Sequence, residues 1–220
     1  LIIIGVFWGG QNILAREYVT DWYIKDFQTE IVVNKDSSLL ITEKITADCG
    51  NASGKHGIFR ILPEKVKITG GKEIKMPVKL ISITDFSGTP LKYDQKRNYS
   101  DDTVTWKIGD PNKAIQGVNE YEIKYHVANT IRSGNEDFDE FYWNLNGNFW
   151  DLETDNFQAR IIFPEGITKN NAQVEYYTGP LGSRYKNQAD FHWISDNVLE
   201  FSSIGILRER DGITASVIFP

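Results

Sequence analysis

VNEYEIKYHV, residues Val118–Val127, decides the fold class. Tyr121, Ile123, Tyr125 and Val127 fall at every second position, and Glu120, Glu122, Lys124 and His126 fill the places between. Successive side chains of an extended strand point to opposite sides, so this alternation writes one apolar and one polar face. A strand with one face in a core and the other in water belongs in an antiparallel sheet. His126 falls on the polar face and is read there as a solvated residue.

The same pattern recurs upstream. Leu39–Ala47, LLITEKITA, sets Leu39, Ile41, Glu43, Ile45 and Ala47 on one face and Leu40, Thr42, Lys44 and Thr46 on the other. Asn34–Ser38, NKDSS, is rich in residues that bond their own backbone in turns, so Tyr18–Asp48 reads as a long hairpin. Glu43 interrupts an apolar face. A buried carboxylate there would need a partner, and a solvent-exposed edge is the expected setting. Further strands are expected at His56–Pro63, Val78–Asp85, Thr103–Gly109, Phe157–Phe163, Asn171–Tyr177, Phe191–Ile194, Val198–Phe201 and Ile213–Phe219, with Gly, Pro and Asn turns between them. Ile68–Lys75 reads as a turn-rich connector, and Ser203–Arg210 as one helical turn at most. The pattern predicts an all-β fold: an antiparallel β-sandwich, either one large or two closely packed Ig-like sandwiches. Strand patterning breaks at Thr130–Glu136, the one candidate sub-boundary.

Composition narrows the function classes. Lys and Arg total 24 against 30 Asp and Glu, for a net charge of -6, with no basic run to face a duplex, so no nucleic acid is expected as partner. The single cysteine, Cys49, excludes an intramolecular disulfide and reads as a buried or strand-end thiol. His56, His126 and His192 are scattered without metal-ligand spacing. Asp137, Asp139 and Glu140 lack the ligand ladder of a calcium loop, so neither metal nor cofactor is expected. Leu1–Trp8 is almost continuously apolar, and Arg16 is the first charge. Residues 1–15 read as the remnant of a signal peptide or membrane anchor, with a hydrophobic first strand as the alternative, leaving 18–220 as a β-rich ectodomain.

The densest aromatic stretch is Asp137–Trp150, DFDEFYWNLNGNFW. In an extended Phe141–Trp143, Phe141 and Trp143 share one face and Tyr142 takes the other. Asn144–Asn148 is a turn by composition, with Gly147 suited to positive φ, and Phe149 and Trp150 restart the chain. Phe141 and Trp143 are expected inside, with Tyr142 or Trp150 at a surface. Candidate ligand-binding residues are Tyr142, Trp143 and Trp150, joined by Arg60 and His56. The last two share parity along His56–Pro63, where Arg60 can contact a carboxylate; the competing reading is an edge strand with exposed cations. A glycan hydrolase would need two carboxylates flanking one bond, drawn from Glu43, Glu140, Asp151 and Glu153. A structural assembly domain with an open strand edge is a third reading. Asn51–Ser53 and Asn98–Ser100 fit the glycosylation triplet.

HGIFRILP (56–63), KIGD (107–110), EYEIKYH (120–126), FYWNLNGNFW (141–150), TGPLGS (178–183) and the closing IFP (218–220) together resemble, in order and spacing, the DUF2207 family of predicted bacterial and archaeal membrane proteins. The resemblance runs from about Asp21 to Pro220. It implies an extracytoplasmic β-rich domain behind a signal sequence, attached to the membrane through segments outside this chain. Envelope glycan or protein would be the partner, and the family carries no catalytic residues to transfer.

Overall fold

Glu43 lies at the middle of a ten-residue strand that is itself near the middle of the largest sheet. The computed structural model describes residues 16, 19, 21–67, 72–133 and 138–220. The apolar run expected over 1–15, Tyr18, Asp137 and residues 134–136 of the candidate boundary Thr130–Glu136 lie outside them.

The strands are β1 (Tyr23–Val33), β2 (Leu39–Asp48), β3 (Gly57–Pro63), β4 (Lys65–Lys67), β5 (Glu73–Lys75), β6 (Val78–Thr84), β7 (Tyr93–Asn98) and β8 (Thr103–Gly109). They continue with β9 (Val118–Val127), β10 (Ile131–Ser133), β11 (Asp139–Asn144), β12 (Phe157–Ile162), β13 (Gln173–Gly179), β14 (Ala189–Trp193), β15 (Val198–Ser203) and β16 (Gly212–Phe219). No helix occurs among the described residues, and the all-β class follows. A seven-stranded sheet runs β14-β15-β12-β1-β2-β9-β6, a four-stranded sheet β10-β11-β16-β13, a three-stranded sheet β3-β8-β7, and β4 and β5 form a small ribbon. Neighbours are antiparallel except β1 and β12, which run parallel with Phe27 opposite Phe157.

Alternation in β2 and β9 is followed to the residue. Leu39, Ile41, Glu43, Ile45 and Ala47 of β2 are all fully buried, and so are Ile123, Tyr125 and Val127 of β9, while the residues between them meet solvent in part. Register sets Ile41 opposite Tyr125 and Glu43 opposite Ile123, so the buried sets of both strands lie on one face. The two smaller sheets cover that face side by side. Trp106 of β8 meets Tyr125 of β9 edge-on at 5.3 Å, which seats the three-stranded sheet over β2 and β9. Phe141 of β11 meets Phe163 at 5.8 Å, and Tyr176 of β13 meets Phe201 of β15 at 6.1 Å, which seats the four-stranded sheet over β12 and β15. Phe27 of β1 stands between, edge-on to Phe157 at 5.4 Å and to Trp150 at 5.7 Å. Rings of this size each stabilise the fold by about 2–3 kcal/mol through burial, and edge-on pairing adds about 1 kcal/mol. One apolar core results, and both it and the seven-stranded sheet draw residues from either side of 130–136.

Several local expectations change. Ile68–Lys75 is not all connector: β5 occupies Glu73–Lys75 and pairs with β4. β7, YDQKRN, and β10 carry no alternation and were not expected as strands. Ser203–Arg210 makes no helical turn; Leu207 instead forms an isolated bridge with Thr154. Phe149 and Trp150 do not start a return strand, because β11 pairs with β10 and β16.

Candidate functional site

The seven- and three-stranded sheets are joined through a buried ionic contact. Glu43 is wholly buried, and Arg60 of β3 is 1% exposed. Arg60 Nε donates to Glu43 Oε2 at 2.8 Å, and Nη2 donates to Oε1 at 2.5 Å, a bidentate pair. The Tyr125 hydroxyl donates to Oε1 at 2.7 Å. Burial pushes the Arg60 guanidinium down in pKa, and the Glu43 carboxylate more than reverses this, so Arg60 stays charged. Burial first, and then the same carboxylate, push the Tyr125 phenol well up. The expectation that Glu43 sits at a solvated edge is therefore corrected. Its apolar strand neighbours are buried with it, and a cation from the facing sheet compensates the charge. The exposed-cation reading of His56–Pro63 is corrected for Arg60 on the same ground.

Arg60 also organises the aromatic stretch. Its guanidinium carbon lies 5.5 Å from the Trp150 ring centroid. Gly147 has φ +86, as its place in the turn predicts, and a Cβ built there would stand 2.6 Å from Arg60 Nη1. Asparagine side chains hold the turn. Asn146 is buried; it donates to the Asp211 carbonyl at 2.9 Å and accepts from the Ile213 N–H at 2.8 Å. Asn144 accepts from the Gly147 N–H at 2.7 Å, and Asn148 donates to the Arg210 carbonyl at 2.7 Å. Trp150 donates its indole N–H to the Asn146 carbonyl at 2.9 Å and is 4% exposed. It is core, so its expected surface role is corrected. Side-chain alternation holds along an extended chain, and these asparagines fold the segment back.

Two clefts flank β3. The larger, about 1130 Å³, opens between β3 and the four-stranded sheet. Arg60, Tyr142, Trp143 and Tyr177 line it, with Lys65, Arg132, Arg184 and Asp101. The Arg132 guanidinium stacks 4.0 Å from the Tyr142 ring centroid. Burial lowers the Arg132 pKa and raises that of Tyr142. The smaller cleft, about 440 Å³, holds His56, Trp22, Phe59, Lys107, Phe149 and Trp150 on its walls. Phe149 lines both and is 41% exposed. Trp22 Nε1 and His56 Nδ1 on the smaller cleft are buried, and neither has a hydrogen-bond partner among the described residues.

The five candidates are thus divided. Tyr142, Trp143 and Arg60 meet in the larger cleft, and His56 and Trp150 in the smaller. Phe141 and Trp143 are buried as expected, and Tyr142 is half-buried. Arg132, Arg184 and Tyr177 had no local signal, because strand pairing rather than sequence spacing brings them to the cleft. The four acids named for hydrolysis are dispersed. Glu43 is held by Arg60, Ser216 donates to Glu140 at 2.6 Å, Arg210 pairs with Asp151 at 2.8 Å and Arg16 with Glu153 at 3.0 Å. Of these, Asp151 alone lines either cleft. Among the described residues, no group of three or more His, Cys, Asp or Glu is placed to hold a metal ion. Cys49 is buried beside the Gly117 carbonyl at 3.5 Å, and burial pushes its thiol up.

Layered, mostly antiparallel sheets with an arginine- and tyrosine-lined cleft beside β3 define an all-β domain. Similarity to known proteins is consistent with that class. The chain belongs to the DUF2207 family, described as predicted membrane protein (DUF2207) N-terminal domain, whose model matches residues 23–219. It is 26% identical over 163 residues to the Escherichia coli K12 protein titled "Uncharacterized protein YciQ", covering 73% of this chain and 25% of that protein. The chain therefore spans about a quarter of that relative. Among solved structures it is similar to native yeast LTA4 hydrolase, with a TM-score of 0.52 at 9% identity over 92% of this chain and 31% of the hydrolase. The same enzyme in complex with bestatin gives a TM-score of 0.50 at 10% identity, over 94% of this chain and 31% of that one. Likeness at that identity concerns the fold alone. No helix among the described residues is long and apolar enough to cross a membrane.

Proposed function

We propose that this domain is the binding module of a membrane protein, held at the outer side of the cell membrane, and that it takes its ligand in the larger cleft. The observation that carries the reading is the cleft wall, where Tyr142 and Tyr177 stand beside Arg132 and Arg184. Concave, partly apolar sites with a few placed polar groups are where ligands bind. Tyrosine and arginine together offer stacking surface and charged donors at low entropic cost. The dispersal of the four hydrolase candidates favours binding over catalysis. The apolar run at 1–15 and the family description support an envelope location, with membrane attachment through segments outside this chain.

A glycan and peptide array tests the cleft. Tyr142→Ala and Arg184→Ala are the informative variants, since Trp143 and Trp150 are core residues whose loss would disturb the fold. A ligand found on the array is expected to lose at least tenfold in affinity in Tyr142→Ala with an unchanged melting curve. Unaltered binding in both variants would refute the assignment. Location is checked on intact cells: protease added outside should cleave the domain, and full protection would refute the envelope placement.

A further inference from the structure

β3 is an edge strand: it pairs with β8 and, among the described residues, with no other strand. Its backbone polarity can be read from its ends. The Gly109 N–H donates to the Lys92 carbonyl on the β7 side at 2.8 Å, and the Glu64 N–H donates to Asp102 just before β8 at 2.7 Å. In an antiparallel ladder, alternate residues turn both backbone groups to the same neighbour. Ile58, Arg60 and Leu62 therefore serve β8, while Phe59 and Ile61 direct their backbone groups to the open edge. The Ile61 carbonyl is met by Arg60 Nη1 at 3.3 Å, which leaves the Phe59 N–H and C=O and the Ile61 N–H.

Such edges are usually blunted with charge. The other edge of this sheet follows the rule, for β7 carries Asp94, Lys96 and Arg97. β3 reads GIFRILP, its one charge is consumed by Glu43, and Phe59 is 54% exposed beside it. Both clefts lie along this strand, since Gly57–Phe59 line the smaller and Arg60–Pro63 the larger. The cleft walls carry more cations than carboxylates, and of those cations Lys55, Arg60, Lys65 and Arg132 are paired with acids. Lys107 and Arg184 form no ion pair among the described residues, and Asp101 and Asp151 are the clefts' only carboxylates.

Resting on the binding-module reading, we infer that the ligand is an extended, acidic peptide that adds to the open edge of β3 as a further strand. Backbone groups of Phe59 and Ile61 pair with it, and acidic side chains on it face Lys107 and Arg184. A seven-residue strand, about 23 Å long, matches the length of β3.

The probe is an acetylated, amidated heptapeptide alternating glutamate and valine, followed by fluorescence anisotropy. Two further versions are N-methylated, one at the glutamate amides and one at the valine amides. Only one set of amides faces the edge, so one version is expected to lose at least tenfold in affinity while the other binds as the parent does. The lysine–valine analogue should bind at least tenfold more weakly. Phe59→Pro removes an outward N–H from the protein side and should weaken binding to the same degree; because it can also disturb β3, the N-methylated pair carries the test without touching the fold. Equal binding of both methylated versions, or of the lysine analogue, overturns strand addition. Array binding of a glycan that depends on Tyr142, with no heptapeptide binding, overturns it too and leaves the binding-module reading standing. Failure of the heptapeptide to bind, together with the absence of any Tyr142-dependent ligand, overturns both.

Discussion

Removing Arg60 and removing Glu43 should cost similar stability at neutral pH, but only the loss of Arg60 should be relieved by acid. Both side chains are buried, and two hydrogen bonds at 2.8 and 2.5 Å join them. Glu43→Gln strands a guanidinium that cannot lose its proton, and an uncompensated buried charge costs about 3–5 kcal/mol. Arg60→Met strands a carboxylate that can escape by protonation. Taking a free glutamate pKa of about 4.3, that escape costs about 1.4 kcal/mol per pH unit, or about 3.7 kcal/mol at pH 7. Burial of a carboxylate without its cation favours the neutral form, so the penalty is absent in acid and grows as pH rises. Urea unfolding followed by tryptophan fluorescence should show the Arg60→Met deficit shrinking between pH 7 and 5, and the Glu43→Gln deficit staying level. Glu43→Leu/Arg60→Met/Tyr125→Phe removes all three polar groups and should return to within about 1 kcal/mol of the parent. A single-variant cost below about 1 kcal/mol, or the same pH response in both, would refute the buried, mutually compensating pair.

Gly147 and Gly88 both have φ +86, yet only at Gly147 would a Cβ meet another group, Arg60 Nη1 at 2.6 Å. Alanine at either costs about 1–3 kcal/mol of backbone strain, and Gly147→Ala should melt lower than Gly88→Ala; equal melting would show that Arg60 yields freely. Cys49 should resist a disulfide reagent in the native protein and react fully in denaturant, and labelling at the rate of a free thiol would contradict its burial. Burial raises the Tyr121 and Tyr125 phenols, so the fold holds both protonated while the unfolded chain ionises them near pH 10. Stability should then fall above about pH 10 by about 1.4 kcal/mol per pH unit for each, and Tyr125→Phe should lessen that slope in urea titrations.

What could be read from the sequence was periodic. From Leu39 to Ala47 of β2 and from Tyr121 to Val127 of β9 every second residue is buried, and all of these but Glu43 are apolar. β7 escaped because all but one of its six residues are exposed, leaving no alternation; its pairing to β8 alone defines it. Glu43 was visible as an anomaly, but its partner Arg60 lies in another sheet, and parity within a strand does not say which strand faces it. Trp150 failed for a different reason, since the asparagine contacts of 144–148 break the extended geometry on which parity depends. In the larger cleft Tyr142 was legible from its own strand. Arg132 reaches the Tyr142 ring only through the pairing of β10 with β11, and Tyr177 only through that of β13 with β16.

Among the described strands one pair runs parallel, β1 with β12, and it joins residues 130 positions apart, Phe27 with Phe157. It is also the seam at which β14-β15-β12 meets β1-β2-β9-β6 in the large sheet. The second group is complete by Val127, so it can assemble early from nearer contacts while one flank of β1 waits bare for β12. Closing so long a loop is entropically costly, so refolding followed by stopped-flow fluorescence is expected to be limited by this seam. Substitutions at Phe157 or Ile161 should therefore slow acquisition of the native state, whereas those in the β2–β9 ladder should alter the earlier phase.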